Sequence, residues 1–321
     1  MEDSPAPIGA AIPPPIPGRP MDPPPKEHAR TLRKIDAKSE AAGAGYRAFL
    51  RFTYTNTTLL AAGTTYYAFL ALFALVVFAF GLAALIGGEH LADTVTASLD
   101  KAFPGLIGDQ GVSPSTLEQV GQTTSVVGLV SLLITGSGAM MALSKSLHLI
   151  YGVAKDPRNY VFARARLLAW MLLLVPLMGL SFVPSIVISN FAAPVMDFLG
   201  LQGSVGTFLI FGLTAALALA LNAIVIWFML GHLGGVKPSR RALLIGTALG
   251  AVGIEILKYL LSFIIAWSVG KPQYGAFAAP IAMLLVLWLE ALVVYVAACV
   301  TAGIASVQAD ETAAAAVPIP A

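Results

Sequence analysis

The chain is poor in charge. Of its 321 residues only 11% are Asp, Glu, Lys or Arg, against 57% hydrophobic. A soluble domain carries about a quarter charged residues, so a water-soluble enzyme of this length is excluded: it has too few charges to cover its surface. Cysteine is nearly missing. The single Cys299 rules out an intramolecular disulfide and any cysteine-based zinc or iron-sulfur centre. Histidine is sparse too, and His28, His90, His148 and His232 form no His-x-x-x-His pair. No Walker phosphate loop, no His-Glu-x-x-His and no Gly-x-Ser-x-Gly elbow is present. The expectation is therefore a protein with no catalytic residue, no metal, no cofactor and no ATPase activity of its own. A net charge of +2 argues against nucleic acid as a partner.

Proline is unevenly spread. Ten of the 21 prolines lie in residues 1–25, which favours extended polyproline conformations and cannot bury a core. This segment reads as a disordered cytoplasmic tail, with docking to a polyproline reader as the minor alternative. It lacks the charged start and apolar run of a signal peptide. Residues 26–56 carry Lys26, Arg30, Arg33, Lys34, Lys38, Arg47 and Arg51, with Tyr46, Phe49, Leu50 and Tyr54 near helical spacing. They read as a basic amphipathic helix, either at the membrane surface among anionic head groups or packed on the protein from the cytoplasm.

What the sequence has in abundance is long apolar runs. Six lie at about 59–87, 125–151, 167–190, 205–233, 242–270 and 277–303. Each exceeds the roughly 20 residues a helix needs to cross hydrocarbon. None alternates as a barrel strand does, so all are expected to be helices. The expected fold is an all-α, six-helix transmembrane bundle over 57–305, with a short cytoplasmic tail at 306–321. Lysine and arginine set the orientation. Fifteen of the 19 fall in the N-terminal segment and in the connections after the second and fourth runs; Lys101 and Lys271 alone fall on the other side. That asymmetry puts both termini in the cytoplasm. The longest outer loop, about 88–124, holds Glu89, Asp93, Asp100, Asp109 and Glu118.

Charge inside a span is costly and points to function by default. Glu255 and Lys258 stand three residues apart in the fifth run, so they share a helix face. Glu290 lies at similar depth in the sixth. This group can bind a cation, relay a proton or contact a polar head group; equally, it can neutralise itself and lock helix packing. Lys145, within reach of the interface, and Asn222, Thr135 and Ser137 complete the candidates for a substrate or ion pathway. Gly246, Gly250 and Gly253 make a stripe where two backbones can approach. Pro176 and Pro184 are expected to kink the third helix.

Several stretches resemble the YihY/BrkB family of bacterial inner-membrane proteins. They are TLLAAGTTYYAFLALF (58–73), SLLITGSGAMMALSKSLHLIYGV (131–153), NYVFARARLLA (159–169) and KPQYGAFAAPIAMLLVLWLEALVV (271–294). The likeness covers roughly residues 45–305 in order and spacing. The chain departs from the family pattern at Ala71 and Ala74, at His148, at Thr301 and at Glu290, where the family commonly has an aromatic or apolar residue. The resemblance implies a multi-pass protein of the bacterial inner membrane concerned with envelope integrity and, in some members, lipid or lipopolysaccharide export. It implies membrane lipids as partners and a lipid or small ion as substrate; a non-transporting scaffold for envelope machinery is the alternative. The ribonuclease label sometimes attached to the family gains no support from these residues, which show no metal cluster, soluble catalytic domain or basic aromatic face.

Overall fold

In the computed structural model the described residues are 35, 39–86, 114–152, 160–180, 204–269 and 278–315. The Pro-rich tail, most of the 26–38 segment, most of the acidic outer loop and Pro184 lie outside them. The described residues form helices: α1 (Glu40–Tyr54), α2 (Thr57–Ile86), α3 (Pro114–Tyr151), α4 (Tyr160–Leu180), α5 (Ser204–Phe228), α6 (Arg240–Val269) and α7 (Ala278–Ala315). A π-helical turn, Met229–Leu233, continues α5. The chain is thus an all-α polytopic membrane protein.

Local chemistry sets the helix ends. Ser39 caps α1, its Oγ accepting from the Ala42 amide at 3.5 Å, and Glu40 favours the positive end of the helix dipole. The turn into α2 takes two residues. Asn56 adopts a φ of 50°, which its side chain tolerates better than most, and its carbonyl accepts from the Leu59 and Leu60 amides. Gly152, at φ 70°, stops α3 where a side chain would be strained. α7 runs on to Ala315, past the boundary expected at 305. Alanine is the best helix former, and the run meets no proline until Pro318.

Four helices are long and apolar enough, among the described residues, to cross a membrane: Thr57–Val76, Gly128–Tyr151, Gly212–Leu233 and Pro280–Val307. The described parts of the third and fifth apolar runs lie in α4 and α6, which carry Arg164 and Arg166, and Arg240, Arg241, Glu255 and Lys258. The bundle shows large apolar side chains to its surroundings, including Phe208 and Leu213 on α5, Leu244 and Ile256 on α6, and Leu172 on α4. Its interior is apolar as well, around Leu147, Ile150, Tyr151, Leu230, Tyr295 and the alanines of α7. A helix apolar on all sides is solvated by lipid on its outer face.

α7 is the central element. It packs on α1, α2, α3 and α6. Close approach depends on small residues. Cβ atoms added at Gly246, Gly250 and Gly253 of α6 would run into Thr301, Ile226 and Ala297, and Val293. A Cβ at Gly303 would lie 2.5 Å from the Ala44 carbonyl oxygen and 3.0 Å from the Ala48 amide, so α7 and α1 touch backbone to backbone. The glycine stripe therefore serves packing. The α6–α7 contacts also set an antiparallel register: 246 meets 301, 250 meets 297 and 253 meets 293.

Candidate functional site

The inter-helix register decides where the charged residues fall. The next step along the α6–α7 seam puts Glu290 level with 256–257, between Glu255 and Lys258 in height. Glu290 also continues the α7 stripe 293, 297, 301 that faces α6. On α6, residues turn by about 100° each. Gly246, Gly250, Gly253 and the buried Leu257 form the α7-facing stripe, and Lys258 lies on the flank between that stripe and Glu255. α5 runs antiparallel to α6 on that flank, with Ile226 against Gly250 and Asn222 beside Glu255.

The result is a closed triangle. Asn222 Nδ2 donates to Glu255 Oε2 at 2.8 Å, Lys258 Nζ donates to the same oxygen at 3.3 Å, and Lys258 Nζ approaches Asn222 Oδ1 at 3.5 Å. The Glu255 and Lys258 side chains are only 18% and 22% exposed, so this pair is shielded from screening. Asn222 is the eleventh of the 22 residues Gly212–Leu233, which puts the cluster near the middle of that apolar stretch. Three helices therefore present two carboxylates, one ammonium and one amide at a common depth.

The remaining candidates sit elsewhere. Lys145 is exposed on α3. Thr135 Oγ1 donates to the Ser131 carbonyl of its own helix at 2.7 Å. Ser137 is buried and accepts from Arg164 Nε and Nη2 at 3.2 and 3.1 Å, joining α3 to α4. Among the described residues, no three His, Cys, Asp or Glu side chains are grouped to hold a metal.

A second polar region was not evident from the sequence. Arg51 is 1% exposed; its Nη1 donates to the Ile150 carbonyl at 2.8 Å and its Nη2 to Ser306 Oγ at 3.0 Å. Ile150 is in the last turn of α3, where carbonyls have no helical partner and the helix dipole is negative. The cation thus ties α1 to α3 and α7 at once. Arg47 is buried as well. Around them Tyr151 donates to the Leu230 carbonyl at 3.2 Å, Thr57 Oγ1 lies 3.9 Å from Cys299 Sγ, and Thr64 pairs with Tyr295. At the same end, the ring of His232 stacks on Phe228 with centroids 4.7 Å apart. Arg166 lies over Trp170 at 5.9 Å and donates to the His232 carbonyl at 3.4 Å. The only sequence signal for these contacts was the basic character of 26–56; helical spacing alone did not show which arginines turn inward.

These contacts gather α1, the ends of α3 and α5, the starts of α4 and α6, and the last third of α7 at one end of the bundle. Arg241 closes the rim on Glu40 at 3.3 Å. Arg47, Arg51, Arg166, Arg240, Arg241 and Lys237 lie at or near this end, whereas Arg164 reaches Ser137 in the middle of α3.

A family model described as "Virulence factor BrkB" matches residues 48–319. No curated protein and no solved structure matches the chain.

Proposed function

Because this chain belongs to the virulence factor BrkB family, we propose that it is a six-span bacterial inner-membrane protein that moves or positions an amphiphile or small ion. In this reading the basic end of the bundle is cytoplasmic, as the lysine and arginine asymmetry requires. The single observation that carries the proposal is the Asn222–Glu255–Lys258 triangle with Glu290 level beside it. Packing alone needs no charge at that depth, and each ionised group there costs about 3 kcal/mol on insertion scales. A polar track that a head group or ion can follow is the function such a cost supports. The reading assigns no catalytic residue, and membrane lipids are the partners.

The full chain, reconstituted into liposomes, tests it. A fluorescent phosphatidylethanolamine reports lipid movement between leaflets, and an ion-sensitive dye reports ion flux in separate vesicles. Flux above empty vesicles, reduced about tenfold or more by Glu255→Gln or Lys258→Met, is the expected result; tenfold corresponds to about 1.4 kcal/mol of barrier. Wild-type rates in both variants would remove the triangle from the path. No flux in the wild type, with function lost on deleting residues 1–25, would favour the scaffold.

A further inference from the structure

We propose that Glu290 is a proton-binding carboxyl, taking up and returning one proton as the bundle works, so that the ligand coupled to this site is H⁺. The inference rests on the reading of the cluster as part of a flux path and goes further by naming the ion. It starts from the charge count. Lys258 lies level with two carboxylates, and its ammonium is engaged with Glu255 Oε2 and Asn222 Oδ1. With all three groups ionised the cluster is one negative charge in excess.

Among the described residues of α1, α2, α3 and α6, no other cation is bonded to Glu255 or Glu290, and Arg164 of α4 is bonded to Ser137. α2, Thr57–Ile86, contains no Asp, Glu, Lys, Arg or His, and its Tyr66 and Tyr67 are exposed. On α3, Lys145 is exposed and His148 lies against Gly235 at the basic end. On α1, Arg47 and Arg51 are at that same end, Arg51 bonded to Ile150 and Ser306. On α6 the other cations, Arg240 and Arg241, begin the helix at the basic end. Thr301, which marks that end of the α6–α7 seam, is eleven residues from Glu290, about 16 Å along the axis. One further positive charge brings the cluster to neutrality, and a proton is the smallest group that supplies it. Glu290 rather than Glu255 is the acceptor, because Glu255 holds the amide and the ammonium together on one oxygen.

The uptake is simple in atoms and electrons: a carboxylate lone pair forms one O–H bond, and release reverses it. A carbodiimide reads the neutral acid directly. The O–H adds across one C=N bond of dicyclohexylcarbodiimide, the carboxyl oxygen bonding the central carbon and the proton passing to nitrogen. Migration of the acyl group from oxygen to nitrogen then leaves a stable N-acylurea with no leaving group. The full chain in liposomes is treated across a pH series and its peptides are weighed. An adduct on Glu290 is expected, falling about tenfold per pH unit on the alkaline side of the titration and absent from Glu290→Gln. Glu290→Asp, which keeps the acid, restores the adduct.

A wild-type Glu290 that stays unlabelled at every pH overturns the proposal. So does protection of Glu290 by sodium at constant pH, which would assign the site to a metal cation. Infrared difference spectra give an independent readout: a protonated-carboxyl band present in wild type and lost in Glu290→Gln supports the assignment, and its persistence in that variant refutes it. No labelling of wild-type Glu290, with flux intact, would defeat the proton site alone. Labelling with no flux of lipid or ion would leave the proton site standing and defeat the transport reading.

Discussion

Arg51 and Lys258 are both cations within an apolar bundle, yet they are balanced in different ways. Arg51 is held by a carbonyl at the end of α3 and by a serine hydroxyl. Lys258 is held by a carboxylate and an amide, with a second carboxylate at the same height on α7. The first arrangement has helix-end dipole and hydroxyl in fixed positions and joins three helices. The second pairs an ammonium with a carboxylate and an amide across two helices.

The largest effect that would break this comparison is expected at Arg51. Arg51→Ala leaves the Ile150 carbonyl and Ser306 without their partner and opens space between three helices. Stability should fall by about 3 kcal/mol or more, read by denaturant titration, with amide exchange rising first in α1. A loss of flux with unchanged stability would instead put Arg51 in the working path. Next comes Gly303→Leu, which forces α1 away from α7 at the Ala44 carbonyl. A loss of about 1–3 kcal/mol is expected, together with loss of crosslinking between cysteines placed at 44 and 303.

The Glu255–Lys258 pair should couple more weakly. A double-mutant cycle with Glu255→Gln and Lys258→Met should return an interaction of about 1 kcal/mol, the double variant being more stable than the sum of the singles implies. A coupling as large as the Arg51 effect would make the cluster a packing lock and erase the distinction between the two regions. The smallest effect is expected at Thr135. Its hydroxyl bonds within its own helix, so Thr135→Val should change stability by less than about 0.5 kcal/mol and leave flux unaltered. A clear loss of flux would bring Thr135 back into the path.

Much of the fold was legible from apolar runs, since the cost of an unpaired backbone in lipid leaves the helix as the solution for such a segment. The spacing of Glu255 and Lys258, and the depth they share with Glu290, were legible for the same reason: helical rise converts sequence number into height. Asn222 was legible as a polar residue at the right height, though not as the group that closes the triangle. Thr135 and Ser137 looked alike in sequence and differ in structure. Both hydroxyls donate to carbonyls of their own helix, and Ser137 in addition accepts from Arg164 of α4.

By itself the amino-acid sequence determined that this chain is helical, that it lives in a membrane and that three charges lie at one depth. Only the tertiary structure decided that Asn222 closes the pair, that Glu290 faces α6, and that Arg51 points inward to cap α3. The reason is that periodicity constrains height and face along one helix. The register between helices is set by contacts such as Gly246 with Thr301 and Gly303 with Ala44, which join residues distant in the chain.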